Sequence, residues 1–371
     1  MRRVIFYAYS MDGGGAEKAC QLLANRFSKD SNYKVYMLLL VKRGVYLKNI
    51  SQSVRIISYP AFLSHFKVFN LLALAYYVRT TKANCLVSFA EWPNFYAGLI
   101  RSLSRRKVHK VFSEQNTKTF VTEHKSYGVS SLVNYLSVFA YKRADEIVCC
   151  SHSVCQSVKS ILPNSPTAVV YNPVDCVAAR KLANENDSPS FDLLQLNFVA
   201  VGRLHPQKDY EMMLHAFDKA YQINNNIVLY VLGDGDQRNF LESLANKLQS
   251  KNSIVFMGFQ DNPYSFLSKA DALLHSALFE GFGNVFVESL AVGTPVITTD
   301  CNTPREIMSD PLHGTIVPVS DVDALAEGIL RQPKKDKVIS DSCIQRSKKF
   351  DIEQCFVQYK ATVENSPVNY Q

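Results

Sequence analysis

Residues 275–307 read HSALFEGFGNVFVESLAVGTPVITTDCNTPREI, and they contain a glycine-rich turn that leads into an apolar helical segment. Glu280 precedes the turn, and Glu288 follows eight positions later. Backbone N–H groups at such a helix start carry the positive end of the helix dipole and can receive a phosphate or a sugar hydroxyl. A carboxylate accepts two hydroxyl hydrogen bonds, which suits the edge of a ribose or a hexose. On spacing alone, a helix-initiating loop with two incidental glutamates is the alternative.

A second candidate element lies upstream, in VGRLHPQKDY at residues 201–210. Gly202 allows a tight turn at the end of a strand. Arg203 and Lys208 supply two cations five residues apart. A guanidinium that binds two oxygens and a mobile ammonium together match a diphosphate, because charge-assisted hydrogen bonds are stronger than neutral ones. The alternative is a pair of surface cations without a ligand.

Strand and helix patterns alternate on both sides of these elements. Short β-branched runs, typical of parallel strands buried on both faces, are separated by longer segments with helical periodicity. The predicted strands are residues 4–9, 34–41, 85–89, 110–113, 146–150, 168–171, 198–202, 227–232, 254–257, 272–275 and 295–299, and the predicted helices are 16–27, 68–80, 210–222, 237–249 and 284–292. This alternation predicts an α/β protein with doubly wound parallel sheets.

The length of 371 residues indicates two domains rather than one core. Residues 172–195 lose the strand–helix alternation and are rich in Asn, Asp, Ser and Pro, which is typical of a linker. We therefore predict an N-terminal Rossmann-like domain of residues 1–175 and a C-terminal Rossmann-like domain of residues 176–371, facing each other across a cleft. The C-terminal helix can pack back on the first domain.

Composition narrows the class of protein. Apolar residues make up 47% and charged residues 20% of the chain, which excludes a disordered protein. Nine cysteines without a C-x-x-C pair favour reduced thiols over a disulfide framework or a zinc site. Three glycines follow the first apolar run where a signal peptide would be cleaved, and no uncharged apolar stretch reaches the roughly 18 residues that span a bilayer. A cytoplasmic protein without a transmembrane helix is expected.

The net charge of +8 is unevenly distributed, with 24 Lys and Arg against 9 Asp and Glu in residues 1–180, and 17 against 24 in the rest. A basic half is typical of a protein that meets nucleic acid, an anionic membrane surface or a phosphorylated substrate, and a solvated face without a partner is the alternative. No recognised nucleic-acid motif accompanies the charge, so nucleic acid is not expected. Contacts with an anionic inner-membrane surface are predicted for a basic cluster, Arg101, Arg105, Arg106, Lys107 and Lys110. Residues 62–79 are a second candidate for such a contact, but a buried core helix is the favoured alternative there.

Several of these residues carry a resemblance to a known family. The residues that match its signature are Ser276, Glu280, Gly281, Phe282, Gly283, Asn284, Glu288, Ala291, Gly293, Pro295, Val296 and Ile297. This pattern resembles that of the family 4 glycosyltransferases, retaining enzymes of the GT-B architecture in which two Rossmann-like domains face each other. The resemblance is strong over 198–306 and faint over 40–110.

The resemblance implies a role for each candidate residue. Arg203 and Lys208 would bind the donor diphosphate, Glu288 the nucleotide ribose, and Glu280 the donor hexose and the reaction centre. Backbone amides that would reach the sugar and phosphates are those of Phe282, Gly283, Asn284 and Val285. No metal and no separate cofactor are implied, since Arg203, Lys208 and helix dipoles would supply the positive charge.

Two elements of the first half also resemble the family. The loop that contains Gly14 and Gly15 matches its G-G-A-E-R element, where glycines let the backbone approach the donor. Residues 112–117, FSEQNT, match a segment on the acceptor side in which a histidine or arginine is usual. Gln115 stands there instead, and because an amide is no base at neutral pH, hydrogen bonding to a sugar hydroxyl is the role left to it. His152 and His205 follow strand ends, where structural roles are favoured.

These observations, with the resemblance, predict a metal-independent, retaining hexosyltransferase. Its donor would be a nucleotide diphosphate sugar, a UDP-linked hexose or N-acetylhexosamine. The acceptor would be a glycan or lipid-linked glycan in cell-surface polysaccharide, lipopolysaccharide or capsule synthesis. Two alternatives stay open: a sugar-nucleotide epimerase of GT-B architecture, and a non-catalytic protein that binds a sugar nucleotide or polysaccharide. A dehydrogenase is disfavoured, because the first loop lacks G-x-G-x-x-G and no acidic residue ends the second strand.

Overall fold

The computed structural model describes residues 1–59, 67–100, 107–117, 129–185, 191–192 and 194–365. The chain divides into two compact units, of which the first comprises Met1–Pro173 and Ile352–Gln371 and the second Val174–Asp351. The division falls close to the predicted boundary after residue 175. The C-terminal segment belongs to the first unit, where we had assigned it to the second domain with its helix able to pack back.

The first unit is built on a parallel sheet of seven described strands in the order β3-β2-β1-β4-β5-β6-β7. The strands are β1 (Arg2–Ala8), β2 (Tyr33–Leu39), β3 (Arg55–Ser58), β4 (Cys85–Phe89), β5 (His109–Glu114), β6 (Glu146–Cys149) and β7 (Thr167–Val169). The side chains of Val4, Ile5 and Phe6 alternate between the two faces of β1, and all three are fully buried. Helices on both faces of the sheet account for the continuous apolar runs in the sequence.

The helices of this unit form two layers. They are α1 (Gly15–Ser28), α2 (Lys67–Thr80), α3 (Glu91–Leu99), α4 (Val129–Tyr141), α5 (His152–Ile161) and, from the C-terminal segment, α14 (Ile352–Glu364). The α14 helix packs on α1: the rings of Phe356 and Phe27 lie 4.8 Å apart, and Glu353 forms an ion pair with Arg26 at 2.7 Å. On the other face α2 packs against α3, and α3 against α4.

The second unit repeats the same plan with six described parallel strands in the order β10-β9-β8-β11-β12-β13. The strands are β8 (Leu196–Val201), β9 (Ile227–Leu232), β10 (Ile254–Gly258), β11 (Ala272–His275), β12 (Val296–Thr299) and β13 (Gly314–Val317). The helices are α6 (Cys176–Ala183), α7 (Tyr210–Ile223), α8 (Arg238–Ala245), α9 (Tyr264–Leu267), α10 (Asn284–Ala291), α11 (Pro304–Ile307), α12 (Val322–Arg331) and α13 (Lys337–Ser347). The predicted α/β fold of two Rossmann-like units is confirmed.

Strand order reverses once in each sheet. The chain runs outward from β1 to β3 and then from β4 to β7 on the other side, so the reversal lies between β1 and β4. In the second unit it lies between β8 and β11. Open α/β sheets bind ligands outside the carboxyl ends of the strands at such a switch point. The loops after β8 and β11 are therefore the place to examine first in the second unit.

Sequence patterns missed several elements. The edge strands β3 and β13, which have four residues each and are only partly buried, were not predicted. Helix α8 ends at Ala245, before the predicted end at residue 249, and residues 246–250 form turns. Helices α3, α4, α5, α9, α11, α12 and α13 were not predicted, and α6 lies where residues 172–195 were expected to form a linker.

Candidate active site

The loops that follow β8 and β11 lie side by side and are tied together by three hydrogen bonds. The backbone N–H of Leu278 donates to the carbonyl of Gln207 at 2.9 Å, and the side chain of Gln207 donates to the carbonyl of Phe279 at 2.9 Å. The hydroxyl of Ser276 donates to the carbonyl of Lys208 at 2.7 Å. These bonds hold the segment that contains Lys208 against the segment that contains Glu280.

Lys208 and Glu280 form an ion pair at this switch point, in which Nζ of the lysine donates to Oε1 of the glutamate. Both side chains are largely withdrawn from solvent, with exposed fractions of 22% for Lys208 and 12% for Glu280. The backbone N–H of Glu280 donates to the carbonyl of Cys301 at 3.0 Å. This hydrogen bond ties the loop after β11 to the loop after β12. Two residues predicted to contact different parts of one donor thus touch each other.

A third residue, which the sequence patterns did not single out, completes this group. His275 is the last residue of β11 and is buried, and its Nε2 lies 3.1 Å from Oε1 of Glu280. Its Nδ1 lies 3.2 Å from the hydroxyl of Thr298 on β12. The ring of Phe286 packs edge-on against it, with centroids 4.7 Å apart. The sequence signal that could have identified His275 is its position directly before the loop that contains Glu280.

The pKa values of the two groups follow from these contacts. Burial alone would raise the pKa of Glu280, but the positive charge of Lys208 and the hydrogen bond from His275 outweigh it and lower the pKa to about 2. Burial lowers the pKa of His275, and the nearby charge of Lys208 lowers it further against the opposing effect of Glu280. At neutral pH the site therefore contains a carboxylate held by an ammonium group and a neutral imidazole.

The glycine-rich turn leads into α10 as the sequence predicted. Gly283 has φ +81°, and a Cβ atom there would lie 2.5 Å from Cε2 of Phe286, so the position requires glycine. The carbonyl of Phe282 accepts a hydrogen bond from Thr303 at 2.9 Å, and Asn284 and Val285 are the first residues of α10. The first N–H groups of a helix have no carbonyl partner within it, so they are suited to bind an anion.

Arg203 and Glu288 do not join the Lys208–Glu280 contact. Arg203 lies exposed in the loop after β8 and forms no ion pair with any residue that the structure describes. Glu288 is buried in the second turn of α10. His205 caps the short turn that carries Lys208, with its Nδ1 accepting from the N–H of Gln207 at 3.2 Å. That contact is a structural role.

Gly14 and Gly15 lie in the first unit, at the switch point between β1 and β4. Gly14 caps α1, and Gly15 is the first residue of that helix. Their predicted role in binding the donor stays a prediction. His152 begins α5 and is exposed, with its ring 6.3 Å from that of Tyr171.

The structure shows the hydrogen-bond partners of Gln115. Gln115 is buried, and both ends of its amide are bound within the first unit: Nε2 donates to the hydroxyl of Ser113 at 2.8 Å, and Oε1 accepts from Asn172 at 2.7 Å. Ser113 in turn is 2.9 Å from the hydroxyl of Tyr359 on α14. Its amide is thus held in one orientation within the first unit, and its role toward an acceptor stays an open question.

The predicted membrane contacts are corrected in part. Lys110 is buried in β5 and donates to the carbonyl of Arg143, so it cannot meet a membrane. Lys107 is exposed, whereas Arg101, Arg105 and Arg106 lie outside the described residues. No helix within the described ranges is long and apolar enough to cross a bilayer.

Asp-x-Asp pairs, which can supply two carboxylates to a cation, occur at residues 234–236 and 321–323. In the first pair, Oδ2 of Asp234 lies 3.3 Å from a guanidinium nitrogen of Arg238. In the second pair, Asp321 caps α12 and Asp323 forms an ion pair with Lys219. Within the part of the chain that the structure describes, no group of three or more His, Cys, Asp or Glu could hold a metal ion.

Family models match both units. The model described as "Glycosyltransferase Family 4" matches residues 13–177, and the one described as "Glycosyl transferases group 1" matches residues 186–350. The chain belongs to the family 4 glycosyltransferases. The second match contains Arg203, Lys208, His275 and both glutamates, so the switch-point group lies within the segment that the family shares.

Relatives refine this assignment. The N-acetylgalactosamine-N,N'-diacetylbacillosaminyl-diphospho-undecaprenol 4-alpha-N-acetylgalactosaminyltransferase of Campylobacter jejuni is 26% identical over 363 residues, 95% of this chain and 96% of that protein. The lipopolysaccharide core biosynthesis glycosyltransferase LpsE of Rhizobium meliloti is 27% identical over 59% of this chain and 62% of its own length. This glycosyltransferase is thus related to transferases of lipopolysaccharide and lipid-linked glycan synthesis.

The fold agrees with solved glycosyltransferases. The structure of Anabaena HepE in complex with UDP and glucose superimposes with a TM-score of 0.79 at 18% identity, covering 98% of this chain and all of that one. At this identity the likeness shows the GT-B fold alone.

Proposed function

We propose that this glycosyltransferase moves a hexose or N-acetylhexosamine from a UDP-sugar to a lipid-linked glycan, with retention of the anomeric configuration. The observation that carries the proposal is the contact of Lys208 with Glu280 at the switch point of the second sheet. The names of the relatives support the rest: the C. jejuni enzyme is named for a diphospho-undecaprenol acceptor, and HepE was solved with UDP and with UDP-glucose.

Lys208 would exchange partners when the donor binds. A nearly buried ion pair is costly to break unless another charge replaces the lost partner. The donor diphosphate is such a charge, and it would draw Nζ of Lys208 from Glu280 onto its oxygens. Exposed Arg203 and the amides of Phe282, Gly283, Asn284 and Val285 would add donors around the same anion.

Glu280 would then be free to accept hydrogen bonds from the donor hexose, while His275 keeps its carboxylate in place. Glu288, in the second turn of α10, would bind the ribose hydroxyls. In the reaction, the bond between C1 and the diphosphate oxygen breaks as the acceptor oxygen bonds to C1 on the same face. The acceptor proton passes to the leaving diphosphate, so no protein nucleophile is needed.

We further propose that the protein works in the cytoplasm without a metal or separate cofactor. All nine cysteines are free and buried, in keeping with a reducing compartment. Charge on the leaving group would be stabilised by Arg203, Lys208 and the α10 terminus.

Release of nucleoside diphosphate from a panel of nucleotide sugars tests the proposal. Release of UDP that depends on a polyprenyl-diphosphate glycan, with an α-linked product from an α-linked donor, is the expected result. Conversion of the donor to an epimer without an acceptor, or tight UDP binding without turnover on any acceptor, would contradict it. Adding a chelator should leave the rate unchanged.

A further inference from the structure

Strand β4 ends in a strained turn. Ala90, the residue between β4 and α3, has φ +70° and ψ 174°, a conformation that residues other than glycine rarely adopt. Backbone hydrogen bonds hold it on both sides: its N–H donates to the carbonyl of Ser113 at 3.1 Å, and its carbonyl accepts from the N–H of Asn94 at 3.1 Å. Strain of this kind persists only where the surrounding structure enforces it, and such positions cluster at ligand sites.

A buried polar network enforces the turn. The side chain of Asn94 is fully buried, and its Oδ1 accepts from the hydroxyl of Ser88 on β4 at 2.6 Å. Its Nδ2 donates at 3.2 Å to the carbonyl of Ser113, the same carbonyl that the N–H of Ala90 binds. The ends of β4 and β5 and the first turn of α3 are thus fastened together, so the first two residues of α3 start from a fixed backbone.

The turn lies at the switch point of the first sheet. Strands β1 and β4 pair side by side there, so Tyr9 and Ala90 follow adjacent strand ends. Tyr9 is 48% exposed, and Trp92 in the first turn of α3 is 44% exposed. The Trp92 ring packs on buried Tyr96, with ring centroids 6.4 Å apart. Single exposed aromatic rings are ordinary, but two at the place where an open α/β sheet binds ligands indicate a binding site.

A carboxylate stands beside these rings. Glu91 directly precedes Trp92, is exposed, and forms no ion pair with any residue in the described part of the chain. A sugar ring has a face of C–H groups, which an aromatic ring attracts, and an edge of hydroxyls, which donate to a carboxylate. A nucleobase would also stack on an aromatic ring, but the charge of Glu91 opposes the phosphates of a nucleotide. The combination therefore fits an uncharged saccharide.

We propose that Trp92 and Glu91, with Tyr9 on the adjacent strand end, bind a sugar ring of the acceptor and so select which glycan is extended. The assignment of this sugar to the acceptor rests on the proposed function. Hexoses differ in the direction of their hydroxyl groups. Glu91 therefore distinguishes between them, whereas the two aromatic rings bind any apolar sugar face.

Trp92 is the only tryptophan of the chain, so its fluorescence reports on this site directly. The full chain, without donor, is titrated with the methyl glycosides of glucose, galactose, N-acetylglucosamine and N-acetylgalactosamine. We expect a saturable change in Trp92 emission with at least one of them. Glu91→Gln should weaken the binding of that glycoside about tenfold, because a charge-assisted hydrogen bond is lost. The matched control Glu185→Gln, at an exposed glutamate of the second unit, should bind as the wild type does.

Steady-state rates with a polyprenyl-diphosphate glycan as acceptor give a second readout. Trp92→Ser should raise the acceptor KM about tenfold and leave the Kd for UDP unchanged, whereas Trp92→Phe, which keeps a ring, should recover most of the loss. Tyr135→Ser, at an exposed tyrosine on α4, is the matched control and should keep the acceptor KM of the wild type.

The two readouts separate a failure of this site from a failure of the proposed function. Glycoside binding without transfer to any acceptor would refute the proposed function alone, whereas transfer with an unchanged acceptor KM in Trp92→Ser would refute this site alone. Trp92 emission that no glycoside changes would contradict the saccharide site. Saturation by UMP at a lower concentration than by any glycoside would assign the ring to a nucleobase, and equal weakening in Glu91→Gln and Glu185→Gln would remove the role of Glu91.

Discussion

Nε2 of His275 lies 3.1 Å from Oε1 of Glu280, the same oxygen that Lys208 binds. One carboxylate oxygen is thus shared by the ammonium group of Lys208 and by a buried ring that contacts Thr298 and Phe286. On the proposed function, a donor diphosphate would attract Lys208, and His275 would be the contact that keeps Glu280 oriented. We therefore expect His275 to act as a positioning residue rather than as an acid or base.

His275→Ala should lower kcat about tenfold, the cost of a lost hydrogen bond to a charged group, and change the donor KM little. His275→Gln retains a side-chain N–H donor and should recover part of the rate. His215→Ala, an exposed histidine on α7, serves as the control in the same steady-state assay. A loss in KM with unchanged kcat would show that His275 supports donor binding instead.

Stability should depend on pH through His275. Its pKa in the folded chain lies below the ordinary value of 6.5, because burial disfavours the charged ring. Below pH 6.5 the unfolded chain therefore binds a proton that the folded chain excludes. The free energy of unfolding consequently decreases as the pH falls through this range. Urea unfolding should show the wild type losing stability relative to His275→Gln between about pH 7.5 and pH 5.5. Parallel curves for the two proteins would refute the lowered pKa.

The two glutamates should differ in kinetic effect. Glu280→Gln should lower turnover without weakening UDP binding, since it releases Lys208 from its ion pair for the diphosphate. Glu288→Ala should mainly raise the Kd for UDP through the lost ribose contact, by about tenfold. Steady-state rates and calorimetric titrations of both variants measure the difference. Wild-type turnover in Glu280→Gln would remove that residue from the reaction centre.

A buried polar network in the first unit provides a test of stability. The hydroxyl of Tyr141 donates to Oε2 of Glu114 at 2.7 Å and accepts from Asn94 at 3.1 Å. Tyr141→Phe would leave a buried carboxyl group without this donor and should lower the free energy of unfolding by about 2 kcal/mol. Tyr135→Phe on the same helix, at an exposed position, should change it by less than about 0.5 kcal/mol. Equal effects in urea unfolding would contradict the role of the hydrogen bond.

The sequence allowed the fold to be predicted wherever its local pattern was long. Strand β9 is the continuous apolar run IVLYVL, β1 contains the apolar run VIFYA, and helix α7 has a clear apolar stripe, so each was found within two residues. The edge strands β3 and β13, which were not predicted, depend on contacts between residues far apart in the chain. Periodicity carries no information about such contacts.

The site was predictable as a set of residue types but not as a set of contacts. Glu280 and Lys208 were singled out because their segments resemble the family signature, whereas on spacing alone incidental charged residues were the alternative. That Lys208 pairs with Glu280, and that His275 joins them, follows from the adjacency of β8 and β11, which are separated by more than 70 residues. The contacts of Gln115 with Asn172 and Ser113 could not be predicted for the same reason, since they form only in the folded chain.

Calorimetric titration of UDP into the wild type, Lys208→Ala and Arg203→Ala tests the central claim most directly, namely that the switch-point loops of the second unit bind the donor diphosphate. Each substitution removes a charge-assisted phosphate contact, so both variants should bind UDP about tenfold more weakly or worse while remaining folded. Lys219→Ala, which removes a surface lysine paired with Asp323, is the matched control and should leave the affinity unchanged. UDP affinity equal to that of the wild type in both Lys208→Ala and Arg203→Ala would contradict the account.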